Sequence, residues 1–174
     1  FASATASLIS SAAATPVFEV TSPSLAEVVR DINKYSNNVM AQQLFLSLSL
    51  PANRPNGKTT AVDNAEPASF AASRDVVRRW WQERFPDLEP PVLDNGSGLS
   101  RSARISVLAL GRMLQTAYQS PLMPELMSSL PIAGVDGTMR RNRSRAAGSA
   151  HLKTGSLRDV VAIAGYVHAS SGRR

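Results

Sequence analysis

The stretch Ala150–Leu157, A-H-L-K-T-G-S-L, holds one of only three lysines in a 174-residue chain, against sixteen arginines. Arginine stays protonated in proteins, whereas lysine can give up its proton and acts as a compact point charge. On a strand, side chains alternate between faces, so His151, Lys153 and Gly155 share one face. A cation beside a position without a side chain leaves a recess, and a partner can approach the backbone closely at Gly155. Thr154 and Ser156 place hydroxyls nearby, so a small carboxylate would meet one charge and two donors. A plainer reading makes Lys153 a surface residue and Gly155 the mark of a bulge.

A second group lies far upstream. Ser36-Asn37-Asn38 follows an apolar helical pattern and precedes another. A serine and an asparagine two apart on a turn can point into one cavity. The serine can relay a proton and the asparagine amide can hold a carbonyl. Any helix–helix turn can also contain S-N-N for local reasons.

The elements that must position these residues follow from periodicity and caps. Ser24 with Glu27 fits a capping box, and Ser22 with Pro23 at the first helical position fits almost as well. Leu25, Val28, Val29 and Ile32 then form one apolar helical stripe. After the pause at Y-S-N-N, a second helix from Val39 to Leu48 carries Met40, Leu44 and Leu48. Residues 51–69 read as a Pro-, Asn- and Gly-rich loop. Ser73 is the expected cap of a helix burying some of Val76, Val77, Trp80 and Trp81, ended by Pro86, Pro90 and Pro91. Next, P-V-L-D-N-G-S-G-L-S enters a glycine-rich turn. Asp94 and Ser97 could line a cleft, but a turn feeding the next helix is the preferred reading. Ser100 or Ser102 is expected to cap that helix, which runs to Tyr118 with Ile105, Leu108 and Leu114 inward. A short helix over Pro124–Leu130 and a basic, exposed loop follow. Two strand-like runs joined by R-D close the chain. Helices in the middle and a strand pair at the end predict an α+β fold with an antiparallel sheet.

Bulk properties narrow the function classes. Hydrophobic residues make up 43% of the chain, enough to bury a sizeable core, and charged residues 18%, too few for wholesale disorder. The absence of cysteine excludes disulfides, thiolate catalysis and cysteine zinc sites, and fits either cytoplasm or periplasm. The net charge of +6 suits an anionic partner. Arg140, Arg141, Arg143 and Arg145 raise the possibility of nucleic acid, but no nucleic-acid motif accompanies them. His151 has no evident Asp partner, His168 lies on the apolar strand, and two such histidines make no convincing metal site. No apolar run approaches the ~20 residues of a membrane helix. The small, uncharged opening is not read as a signal peptide. It begins with Phe1, and both ends suggest a piece of a longer protein.

K-T-G and S-N-N together are two of three elements of a known set, S-x-x-K, S-x-N and K-T-G, of serine β-lactamases and penicillin-binding proteins. The ordered motifs I-N-K-Y-S-N-N-V-M-A-Q-Q-L, D-N-G-S-G-L-S-R, G-T-M-R-R and H-L-K-T-G-S-L extend the match from about residue 16 to the end. The sequence resembles the D-alanyl-D-alanine carboxypeptidase/endopeptidase family, the low-molecular-mass class C penicillin-binding proteins. That resemblance implies a partial β-lactamase/transpeptidase-like fold with a helical subdomain. Residues 1–21 would end a truncated upstream region, and 22–174 would be the C-terminal part of the penicillin-binding domain.

The resemblance also implies an activity: hydrolysis between two D-alanines of a peptidoglycan stem peptide, in the periplasm, through an acyl-serine. By motif matching, Ser36 passes a proton to the leaving amine and Asn38 bonds the acyl side. Lys153 supplies positive potential and helps anchor the terminal carboxylate. Thr154 and Ser156 bind that carboxylate, beside Gly155, and the Ser156 N–H is an oxyanion donor. β-Lactams would inhibit the intact enzyme, and peripheral membrane contact is compatible. No cofactor, metal or nucleic acid is implied. One departure is large. Asp31, Pro55 and Ala150 stand three residues before Lys34, Lys58 and Lys153, so these 174 residues contain no S-x-x-K. The alternative is a non-catalytic module of the same fold that binds cell-wall peptide.

Overall fold

A computed structural model describes residues 18, 20–50, 67–169 and 171. Most of the lead at 1–21, and residues 51–66 of the loop expected over 51–69, Lys58 among them, lie outside the described residues. The described elements are α1 (Leu25–Tyr35), α2 (Asn38–Ser47), α3 (Phe70–Arg84), α4 (Val107–Tyr118) and α5 (Met123–Ser129). A 3₁₀ turn (Gly137–Met139) and two strands, β1 (Ala150–Leu157) and β2 (Val160–Val167), follow. The expected α+β order is the one observed.

The capping box at Ser24 is formed: its N–H donates to Glu27 Oε2 at 2.9 Å, and its Oγ accepts from the Glu27 N–H. This satisfies two backbone donors that a bare helix start leaves open. The half-buried Val28, Val29 and Ile32 lie on a helix packed against α5 and the 3₁₀ turn, whereas Leu25 is exposed.

Two helix starts differ from expectation. Ser69, not Ser73, caps α3 by accepting from the Ala72 N–H. Ser73 is fully buried instead, its hydroxyl donating to Leu46 O in α2. Likewise Ser106, not Ser100 or Ser102, caps α4. Residues 100–103 form a serine-bonded turn, and Arg104 pairs with Val92 through two backbone bonds. This pairing holds the chain extended and delays the helix to Val107. The inward face shifts accordingly: Leu108 is 65% exposed and Ile105 41%, while Ala109 is buried.

The main core lies between α3 and α4. Trp81, Phe85 and Ala109 form it, with Leu88 and Met113 against them. Trp81 also donates from Nε1 to Leu88 O, so its polar edge is satisfied inside the cluster. Trp80 stays 40% exposed beneath the Arg84 guanidinium. A second cluster, Ala133, Met139 and Ala150, sits under β1, so the basic loop before the strand is anchored by its apolar residues.

β1 and β2 are antiparallel, in register from Leu157↔Val160 at the turn to Ala150↔Val167. Arg158 and Asp159 make the two-residue turn, with Asp159 at φ 68°, which aspartate tolerates better than most residues. The register runs unbroken through Gly155↔Ala162, so Gly155 marks no bulge. On its other side, β1 bonds only at its start: Ala133 N–H to Ala150 O, and Leu152 N–H to Pro131 O. Among the described residues, no strand pairs with that edge beyond Leu152.

Candidate active site

The corner between α1 and α2 is built from Ser36, Asn37 and Asn38, and each has a separate task. Ser36 closes α1 in the left-handed conformation, φ 54° and ψ 47°, with its N–H on Ile32 O. A serine held there costs of order 1 kcal/mol and persists only where its surroundings fix it. Asn37 caps α2, its Oδ1 accepting from the Met40 N–H at 3.1 Å. Asn38 is then the first residue of α2. Because Asn37 takes the structural task, Ser36 and Asn38 are left to face one cavity.

That cavity, about 370 Å³, is where the two sequence signals meet. Ser36 and Asn38 line one side, and Lys153, Thr154, Gly155 and Ser156 the other. Lys153 Nζ donates to Ser36 Oγ at 3.0 Å and to Thr154 O at 2.7 Å. Among the described residues, no carboxylate pairs with it. Its ammonium thus rests on neutral oxygens, and its charge is available to an incoming anion. Burial lowers the Lys153 pKa from the ordinary lysine value, because desolvation penalises the charged form.

Strand geometry adds a donor. In an antiparallel strand the N–H and C=O of one residue point to the same side, and the side alternates along the chain. Ala150 and Leu152 direct theirs to the 131–133 segment, away from β2. By the same parity Thr154 and Ser156 direct theirs to the open edge, and the Thr154 carbonyl there accepts from Lys153. The Ser156 N–H is therefore aimed at the cavity side of β1.

Sequence reasoning underrated the third wall. Ser97 and Gly98–Ser100 line the cavity, so the D-N-G-S-G-L-S stretch is both turn and cleft wall, whereas Asp94 does not line it. Gly96 is needed for that placement: at φ 81°, a Cβ there would lie 2.4 Å from Phe45 Cβ. The small residues between Asn95 and Leu99 were the available signal. The histidines stay outside the cavity: His151 Nδ1 contacts Met127 O, and its ring meets His168 edge to face. Among the described residues, no group of three or more His, Asp or Glu could hold a metal.

Comparison with known proteins gives the family and the fold. The family model of D-Ala-D-Ala carboxypeptidase 3 (S13) matches residues 3–174. The chain belongs to the S13 family. It is 30% identical over 167 residues to carboxypeptidase DacB of Mycolicibacterium smegmatis, covering 91% of this chain and 34% of that protein. The D-alanyl-D-alanine carboxypeptidase of Actinomadura sp. is also 30% identical, over 87% of this chain and 27% of its own length. A crystal structure of penicillin-binding protein 4 from Haemophilus influenzae, complexed with a β-lactam, superposes with a TM-score of 0.70 at 27% identity. It covers 84% of this chain and 32% of that one. This S13 segment therefore spans about a third of the length of the relatives it matches, and its mixed helical and antiparallel fold is that of a penicillin-binding protein.

Proposed function

We propose that this S13 segment forms the substrate-side wall of a serine-type D-alanyl-D-alanine carboxypeptidase/endopeptidase acting on peptidoglycan stem peptides in the periplasm. The observation that carries the reading is the Lys153–Ser36 hydrogen bond at the cavity, with no acid among the described residues on the ammonium. An S-x-x-K serine from elsewhere in the enzyme attacks the carbonyl between the two D-alanines, its lysine taking the proton. The C–N bond breaks, the terminal D-alanine leaves as the amine, and water then hydrolyses the acyl-serine.

Each residue here has a share. Because Lys153 donates to Ser36 Oγ, the serine's own hydrogen is free to pass to the leaving amine. Lys153 draws the terminal carboxylate, which Thr154 and Ser156 bind beside the open Gly155. The Asn38 amide holds the acyl side. The Ser156 N–H stabilises the oxyanion, a task for which losing one donor typically costs ~10²–10³ in rate. Fluorescent penicillin is the test. The full-length gene product should form a covalent adduct, and the absence of one in folded protein overturns the reading. The 174-residue chain, without S-x-x-K, should form none.

A further inference from the structure

Lys34 lies two residues before Ser36 and is buried, 9% exposed. Its Nζ donates to Leu130 O at 2.7 Å and to Asp136 Oδ2 at 2.6 Å. The other carboxylate oxygen, Oδ1, accepts from the Ile132 N–H at 2.7 Å. Ile132 belongs to the 131–133 segment that bonds β1 at Ala150 and Leu152, next to Lys153. One carboxylate thus joins the end of the Ser36 helix to the backbone beside the Lys153 strand. Gly137 makes the approach close: at φ 53°, a Cβ there would stand 2.6 Å from Lys34 O.

We infer that Lys34 and Asp136 are a positioning pair, which holds the strained Ser36 corner at bonding distance from Lys153 and so sets the proton relay. The inference rests on the functional reading above and adds two residues that touch no substrate. A left-handed serine needs its surroundings to fix it. Lys34 docks the last turn of α1 at the point where the chain must turn. Asp136 fixes the partner surface, since the carboxylate that receives Lys34 also orders Ile132. A Lys34 that served stability alone would act on turnover independently of Ser36.

A double-mutant cycle on the full-length gene product separates the two. D-alanine release is measured for wild type, Lys34→Met, Ser36→Ala and the pair, with thermal unfolding to show that each is folded. Lys34→Met should lower kcat about tenfold with KM nearly unchanged, and should add less than about twofold once Ser36 is alanine. An equal loss in both backgrounds, or full kcat in folded Lys34→Met, overturns the inference. Wild-type turnover in Ser36→Ala overturns the functional reading instead. If Lys34→Met does not fold, Asp136→Asn takes its place, because the amide keeps an acceptor for the Ile132 N–H while the ion pair is lost. If the wild type shows no turnover, the pH titration of Lys153 in the folded protein, followed by NMR, decides. Withdrawal of the Ser36 Oγ acceptor in Lys34→Met should shift that midpoint from its wild-type position, and an unchanged midpoint overturns the inference.

Discussion

Lys153 and Ser36, 117 residues apart in sequence, are joined by a 3.0 Å hydrogen bond from Nζ to Oγ. The direction of that bond matters. It leaves the serine's proton free for another acceptor and places a positive charge directly behind the oxygen. It also takes the amine out of water, and the consequences can be measured.

Lys153 should titrate below an ordinary lysine, and its charge should cost stability at neutral pH. The folded form disfavours the proton, so the unfolded chain binds more protons between the folded midpoint and the ordinary lysine value. Stability contributed by this residue therefore rises through that alkaline window, is fully present above it, and is lost as pH falls through the folded midpoint. Urea unfolding of wild type and Lys153→Met across that range should show the wild-type deficit at neutral pH closing as pH rises. At neutral pH Lys153→Met should lose penicillin acylation in the full-length protein without losing stability.

The two asparagines of the S-N-N corner should separate. Asn37 caps α2, and losing an asparagine cap typically costs about 1 kcal/mol, so Asn37→Ala should lower thermal stability and Asn37→Ser should restore most of it. Asn38 has no capping task, so Asn38→Ala should leave the melting temperature nearly unchanged and reduce acylation by at least tenfold. A melting loss in Asn38→Ala equal to that in Asn37→Ala would remove this division of labour.

Asp136 should govern part of the acid limb of stability. Burial alone would raise its pKa, but the hydrogen bonds from Lys34 and the Ile132 N–H, with the Lys34 charge, outweigh it and hold the carboxyl below the ordinary aspartate range. A depressed carboxylate contributes stability that is present above its unfolded pKa and lost as pH falls through the folded one. The stability difference between wild type and Asp136→Asn should therefore be constant near neutrality and shrink below the ordinary aspartate value. A difference that stays flat into acid would show that the carboxylate charge is not what holds the contact.

Much of this was legible in the sequence because it is written locally. The Ser24 capping box, the Arg158–Asp159 hairpin turn and the strand alternation that puts Lys153 and Gly155 on one face need only neighbours in the chain. The helix starts at Ser69 and Ser106 were not legible, since serines recur every few residues and distant partners choose among them. Leu46 buries Ser73, and Val92 keeps Arg104 extended. Lys34 was visible as the lysine of I-N-K-Y-S-N-N and as one without a serine three residues before it, but not as half of an ion pair. Its partner is 102 residues away, and no periodicity links the two. The Ser97–Ser100 wall was half legible: the glycines announced a turn, but its placement depends on Phe45 packing against Gly96.

Gly155 distinguishes a glycine kept for the fold from one kept for the site. Its φ is not in the left-handed region, and a Cβ there would meet only Ala162 Cβ at 3.9 Å, an ordinary contact. Nothing in the packing requires glycine, and alanine in a strand restricts the unfolded chain, so Gly155→Ala should be neutral or stabilise by a few tenths of a kcal/mol. The added methyl shares the face of Lys153 and narrows the recess beside the Ser156 N–H. Acylation of the full-length protein by penicillin should fall at least tenfold in Gly155→Ala and further in Gly155→Val, with melting temperatures held. If acylation is unchanged while Gly155→Ala folds as well as wild type, substrate does not approach the backbone at this position, and the carboxylate must be bound elsewhere in the cavity.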